Sequence, residues 1–108
     1  MMIKGINHKN SLIIVALERE LPQKLLPNWN IVYSGVGKVN AALTVANAYN
    51  TYKPSTIINY GTAGALNSNL KGLVSVNSFK QRDMDVTALG FKVGETPFEK
   101  NKTIKFNY

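Results

Sequence analysis

The sequence contains no cysteine, and its longest uninterrupted apolar run is confined to residues 12–17. The absence of thiols excludes disulfide bonds, a cysteine nucleophile and cysteine-ligated metal sites. The apolar run is far shorter than the roughly 20 residues of a membrane-spanning helix, and no signal-peptide cleavage pattern follows it. We therefore expect a soluble, cytoplasmic protein that is not attached to a membrane.

Acidic residues are also scarce. There are 6 Asp and Glu residues against 13 Lys and Arg residues, which gives a formal net charge of +7. Such a charge favours a polyanionic partner. The lysines, however, are spread singly along the chain, and no basic run is interleaved with aromatic residues as a base-stacking surface requires. Nucleic-acid binding is therefore an alternative that rests on charge alone, and we expect the lysines to form a solvated surface.

With 108 residues, of which 44% are hydrophobic, the chain has room for one folded domain. Continuous apolar or β-branched runs predict strands at 12–17, 30–34 and 56–60, and alternation predicts a fourth strand at 73–79. A last short strand is compatible with residues 103–106. Residues 23–26 are predicted to form a short helix after Pro22. A longer helix is predicted for residues 38–52, because Lys53 precedes a proline. The apolar face predicted to pack on the sheet consists of Val39, Ala42, Leu43, Ala46 and Tyr49.

Alternating strands and helices predict a mostly parallel sheet with helices on its faces. In such sheets, ligands bind beyond the carboxyl ends of the strands. Three segments of interest follow strands directly: Glu18 with Glu20, the turn 35–37, and the turn 61–64. Their shared position predicts a ligand site at this edge of the sheet without specifying its chemistry.

The individual segments are compatible with several kinds of chemistry. The turn 35–37 does not match a phosphate-binding loop, because Val32 and Val39 occupy positions that require glycine and Ser or Thr. Glu20 follows a buried strand, where partial desolvation would raise its pKa towards the range of a general acid or base. The alternative is an ordinary acid stabilised in the first turn of a helix, and for this segment taken singly we favour that alternative. Asp83 and Asp85 make a poor metal site, so no metal or cofactor is predicted.

Four ordered blocks, at residues 14–21, 34–42, 57–66 and 82–91, carry a family resemblance. Together they resemble the nucleoside phosphorylase/nucleosidase superfamily, especially the bacterial 5′-methylthioadenosine/S-adenosylhomocysteine nucleosidases. The resemblance implies a three-layer α/β fold with a mostly parallel or mixed central sheet. It also implies that residues 1–108 form a single, partial domain corresponding to the N-terminal half of that fold.

The implied activity is hydrolysis of the N-glycosidic bond of a purine nucleoside or thionucleoside. By resemblance, Glu20 activates the attacking water and Val36 lines the ribose or base pocket. A neighbouring subunit's site is closed by the loop of Val86 and Leu89, which implies a homo-oligomer. The residues implied to border the nucleoside are Gly61, Thr62, Ala63 and Gly64.

The family's second half supplies a sugar-binding glutamate and the aspartate that protonates the purine. The sequence ends at Tyr108 before either, so we expect the chain alone to be inactive and a complementing C-terminal half to be a possible partner. A phosphorylase-type relative that uses phosphate is an alternative, which Arg19 leaves open. The other alternative is a non-catalytic module that binds nucleosides or associates with itself.

Overall fold

A computed structural model of the chain describes residues 5–99 and 104–105. Contacts divide the chain into two compact units, Met1–Gly64 and Ala65–Tyr108. The first unit contains strands β1 (Ser11–Val15), β2 (Asn30–Tyr33) and β3 (Thr56–Asn59), helix α1 (Lys38–Tyr52), and the single-turn 3₁₀ helices Glu18–Glu20 and Gln23–Leu25. The second unit contains strands β4 (Ser78–Phe79) and β5 (Ile104–Lys105) and the 3₁₀ turn Thr87–Leu89.

The three strands of the first unit form a parallel sheet in the order β2-β1-β3. Ile13 of the central strand lies opposite Ile31 on one side and Ile58 on the other. Every residue of β1 is buried, because the strand has a neighbour on each side and packing on both faces, as continuous apolar strands of parallel sheets do. The predicted α/β class with a parallel sheet is confirmed.

One face of this sheet carries a hydrophobic cluster built on Ile13, Val15 and Ile31. The segment between β1 and β2 folds over this face, and the Tyr33 hydroxyl donates a hydrogen bond of 2.7 Å to the Leu21 carbonyl. The segment is thereby held against the strands whose ends form the site. The partly buried side chains packed on the cluster are Leu21, Leu26, Trp29, Tyr33 and Ile58.

Helix α1 has the predicted bounds, but the prediction of its buried face was wrong. Leu43, on the predicted face, is 60% exposed, whereas Ala48, on the opposite side, is 7% exposed. The helix has apolar residues on two sides, and the side with smaller residues lies against the sheet, where short side chains permit a close approach. The residues of α1 that are buried or half-buried are Ala41, Thr44, Val45 and Ala48. Those of the predicted face, Val39, Ala42, Leu43, Ala46 and Tyr49, are all exposed.

The second unit differs more from the sequence prediction. The strand predicted at 73–79 is reduced to Ser78–Phe79, which pairs antiparallel with Ile104–Lys105. Leu73, Val74 and Val76 are all exposed, and among the described residues β5 pairs with Ser78 and Phe79. Alternation of residue types therefore predicted a longer strand than the described residues form. Of the predicted strand 103–106, residues 103 and 106 lie outside the described residues.

Candidate functional site

The site lies in the first unit, at the edge where all three parallel strands end. The Tyr60 N–H, just after β3, donates to the Ile14 carbonyl at 3.0 Å. On the other side, the Gly35 N–H, just after β2, donates to the Ala16 carbonyl at 2.9 Å. The glycine turns after β2 and β3 are therefore both tied to the end of β1, as the sequence predicted for this edge.

Glu20 is held by the turn that follows β1. In the 3₁₀ helix Glu18–Glu20, the Glu20 N–H donates to the Leu17 carbonyl at 2.9 Å. The Leu17 N–H in return donates to Glu20 Oε1 at 3.0 Å. This reciprocal pair fixes both the backbone turn and the direction of the side chain. The role of Leu17 was missed by the sequence analysis, although a glutamate three residues after the start of a turn is a recognisable signal.

The other carboxylate oxygen contacts the turn after β3. Glu20 Oε2 accepts hydrogen bonds from the Thr62 N–H and from the Thr62 hydroxyl, each at 2.8 Å. Gly61 lies alongside, and a Cβ at this position would come within 3.3 Å of Oε2. A glycine therefore leaves room for the carboxylate to sit against the backbone. The structure thus brings together Glu20, Gly61 and Thr62 from segments more than 40 residues apart.

The pKa of Glu20 distinguishes between the two sequence-based interpretations of this residue. Its pKa is lowered from the ordinary value of 4.5, first by the Thr62 hydroxyl, then by the N–H groups of Thr62 and Leu17, with a smaller contribution from Arg19. Partial burial acts in the opposite direction and is outweighed. The raised pKa, which was the less favoured of the two sequence-based interpretations, is contradicted, because donors to the charged form stabilise it more than desolvation disfavours it. Glu20 is therefore an ionised hydrogen-bond acceptor at neutral pH.

The remaining predicted site residues of this edge, Val36, Ala63 and Gly64, are exposed. Val36 lies in the turn between β2 and α1, and its carbonyl accepts a hydrogen bond of 2.8 Å from the Asn40 side-chain amide. Ala63 and Gly64 follow Thr62 and are open to solvent. Their backbone and small side chains leave the surface beside the carboxylate accessible to a ligand. The nucleoside-binding roles of Val36, Gly61, Thr62, Ala63 and Gly64 stay predictions.

An open depression of about 730 Å³ adjoins the Glu20 turn. Arg19 and Lys24 contribute positive charge to its lining and Glu18 contributes negative charge, so it is mixed in charge. The sequence analysis did not associate Lys24 with the site. The lining residues are Leu17, Glu18, Arg19, Pro22, Gln23 and Lys24.

In the second unit, Val86 and Leu89 flank a turn anchored by Asp85. The Asp85 carboxylate accepts hydrogen bonds from the Thr87 N–H at 3.1 Å and the Thr87 hydroxyl at 2.8 Å, which lower its pKa. Val86 is half-buried and Leu89 is exposed. Asp85 therefore anchors a loop, and the proposed contact of Val86 and Leu89 with a neighbouring subunit stays a prediction.

No group of three or more His, Cys, Asp or Glu side chains that could hold a metal ion occurs in residues 5–99 and 104–105. In the same part of the chain, every helix is too short or too polar to cross a membrane.

Comparison with known proteins gives a family match and close relatives. The profile of the family described as the Phosphorylase superfamily matches residues 28–106. The 5′-methylthioadenosine/S-adenosylhomocysteine nucleosidases of Staphylococcus aureus strains JH9 and Newman are each 42% identical to this chain over 69 residues, which is 62% of this chain and 30% of theirs. The chain thus matches less than a third of the length of these relatives. Because the family match covers well over half of the residues, the chain belongs to the phosphorylase superfamily.

Proposed function

We propose that this chain supplies the water-activating part of a purine nucleosidase site, and that the complete site hydrolyses the N-glycosidic bond of adenine nucleosides and 5′-thionucleosides. The observation that carries the proposal is the ionised Glu20 carboxylate, hydrogen-bonded to Thr62 at the carboxyl edge of the sheet. The relatives named as methylthioadenosine/S-adenosylhomocysteine nucleosidases support the substrate class.

In the proposed reaction, the oxygen of a water molecule forms a bond to C1′ of the ribose while the bond from C1′ to the purine nitrogen breaks. One proton of the water passes to Glu20, and the purine nitrogen takes a proton from a general acid. The negative carboxylate also stabilises the positive charge that develops on the sugar. Because Glu20 is ionised at neutral pH, it can accept a proton but cannot be the acid. In the resemblance described above, the general acid is implied to belong to the family's second half, outside the four matching blocks. On this ground we propose that the chain alone is inactive.

The competing proposal is a phosphorylase-type reaction in which phosphate replaces water. Arg19 and Lys24, which line the depression beside Glu20, are the features that favour it. Glu18 and Glu20 lie in the same turn, and their negative charge disfavours a phosphate dianion at this edge. We therefore propose water as the nucleophile. We propose that the nucleoside is bordered by Val36, Gly61, Thr62, Ala63 and Gly64.

The test is adenine release from methylthioadenosine, measured by chromatography. The chain is assayed alone and together with a polypeptide that supplies the remaining segment of the Staphylococcus aureus relative. We expect no release by the chain alone, release on complementation, loss of that release in Glu20→Gln, and no dependence on added phosphate. Glu18→Gln, an exposed acid of the same turn, is the matched control and should retain activity. Complemented activity that survives Glu20→Gln contradicts the proposal, and an absolute requirement for phosphate favours the phosphorylase alternative.

The exposed face of α1 favours a second function, self-association. This stripe, defined by Val39, Leu43, Ala46 and Tyr49, contains no charged residue. It extends over about 15 Å of helix, so it supplies only part of the roughly 800 Å² that each partner contributes to a standard interface. We propose that a second copy of the chain covers this stripe and that the two copies are in a weak monomer–dimer equilibrium. Because each copy carries a formal net charge of +7, added salt screens their repulsion and shifts the equilibrium towards the dimer.

Sedimentation velocity over a range of protein and salt concentrations tests this association. We expect the dimer fraction to rise with both concentrations and to fall in Leu43→Lys. Asn50→Lys adds the same charge at an exposed polar position of α1 and serves as the control. A monomer at every concentration, or equal effects of the two substitutions, contradicts the proposal.

We also propose that residues 1–108 form one partial domain of the superfamily. The support is that the family match at residues 28–106 continues across the division between the two compact units at residues 64 and 65. Cooperative urea unfolding with coincident fluorescence and circular dichroism transitions is expected. Two separated unfolding transitions would contradict the proposal of a single domain.

A further inference from the structure

The two oxygens of the Glu20 carboxylate have unequal surroundings. A carboxylate offers about four acceptor positions, two on each oxygen. Oε2 accepts two hydrogen bonds, both from Thr62 and both at 2.8 Å. Oε1 accepts one, from the Leu17 N–H at 3.0 Å. Counted over the described residues, these bonds fill both positions of Oε2 and leave one position on Oε1.

We propose that Thr62 is a positioning residue that gives the two oxygens of Glu20 different tasks, with Oε2 as the anchor and Oε1 as the oxygen that receives the proton of the attacking water. The inference rests on the proposed function for the identity of that water. Its structural part, the unequal use of the two oxygens, holds for the chain whether or not the site hydrolyses nucleosides.

The geometry explains why the hydroxyl matters in addition to the backbone N–H. Two donors from one residue on the same oxygen restrict the rotation of the carboxylate more than a single donor does. Gly61 contributes by leaving space, because a Cβ there would come within 3.3 Å of Oε2. The Leu17 N–H approaches the other oxygen from the β1 side. Anchored in this way, the carboxylate presents a fixed oxygen, which is what orientation of a water molecule requires.

The direction of the pKa shift agrees with this arrangement. The Thr62 hydroxyl is the largest cause of the lowered pKa of Glu20, ahead of the N–H groups of Thr62 and Leu17. Arg19, in the same turn, lowers the pKa further. Loss of the hydroxyl should therefore be visible in the titration of Glu20 even while both N–H groups still donate.

The inference is tested by NMR titration of the 108-residue chain. The carboxyl carbon of Glu20 and the backbone amides of residues 17 and 62 are followed from acid to neutral pH. In the unaltered chain, Glu20 should titrate below 4.5, and both amides should follow the same titration. In Thr62→Val, which replaces the hydroxyl with a methyl group, the pKa of Glu20 should rise. In Thr62→Ser, which keeps the hydroxyl, it should stay low.

Three results would overturn the inference. They are an unchanged pKa of Glu20 in Thr62→Val, a raised pKa of Glu20 in Thr62→Ser, and chemical shifts of the amides of residues 17 and 62 that do not change as Glu20 titrates. The spectrum of each variant shows at once whether it is folded, and Thr62→Ser supplies an independent test if Thr62→Val is not. In the complemented enzyme, the acid limb of the kcat profile should move to higher pH in Thr62→Val. If the pKa of Glu20 changes as expected in the variants but the complemented enzyme shows no activity, the proposed function is overturned. The hydrogen-bonding part of the inference is then left intact.

Discussion

Replacing Leu43 with alanine tests which face of α1 is buried. Leu43 is 60% exposed, so the substitution removes about 0.4 of the burial of a leucine side chain. Full burial contributes about 1.5–3 kcal/mol, and the expected loss is therefore about 0.6–1.2 kcal/mol. The slightly higher helix propensity of alanine offsets part of this. We expect Leu43→Ala to lower the free energy of unfolding by about 1 kcal/mol or less.

Ala48→Leu provides the opposite perturbation on the same helix. Ala48 is 7% exposed and lies on the side packed against the sheet. A larger side chain forced into a packed interface costs about 1–3 kcal/mol, so Ala48→Leu should destabilise the chain more than Leu43→Ala.

Urea denaturation followed by circular dichroism measures both variants. Low protein concentration keeps self-association from contributing to the measured stability. A buried Leu43 would instead lose about 2–5 kcal/mol on truncation to alanine. If Leu43→Ala loses more than about 2 kcal/mol while Ala48→Leu loses nothing, the assignment of faces is refuted and the sequence-based face is the right one.

Three further predictions concern the core, the site and the second unit. Val15→Ala should cost about 2–3 kcal/mol in urea denaturation, because Val15 is completely buried and two methyl groups leave a void. The lowered pKa of Glu20 contributes stability that is present above pH 4.5 and is lost as the pH falls through the folded-state pKa. The difference in urea midpoint between the unaltered chain and Glu20→Gln should therefore shrink between about pH 7 and about pH 3. Gly94→Ala should cost about 1–2 kcal/mol, since Gly94 has φ +85° and a Cβ there would lie 3.4 Å from the Gln81 carbonyl oxygen. Hydrogen exchange of the Gly94 amide, which donates to Met84 at 2.7 Å, reports this change locally.

Local signals were sufficient for the elements of the first unit. Lys53 adopts a left-handed conformation directly before Pro54, so the end of α1 is encoded in adjacent residues. The apolar run 12–17 likewise predicted β1, which occupies Ser11–Val15. The strand predicted at 73–79 is limited to Ser78–Phe79 among the described residues, because strand formation depends on pairing with a distant segment, which alternation of residue types does not encode.

At the site, chain order and strand direction predicted which segments meet. They could not predict the hydrogen bonds that lower the pKa of Glu20. Those bonds come from the Leu17 N–H, which the turn geometry aims, and from Thr62, which is 42 residues away in sequence. A pKa depends on the sum of such contacts and burial, and the sign of this sum is not visible in local sequence.

The sequence by itself determined the parallel α/β layout of the first unit, the bounds of α1 and the edge of the sheet at which a site forms, because these follow from periodicity, proline placement and strand direction. The tertiary structure decided which of two apolar sides of α1 is buried and that hydrogen-bond donors from Thr62 and Leu17 lower the pKa of Glu20. Both outcomes depend on distances between residues far apart in the chain, which set how closely a helix can approach a sheet and which donors reach a carboxylate.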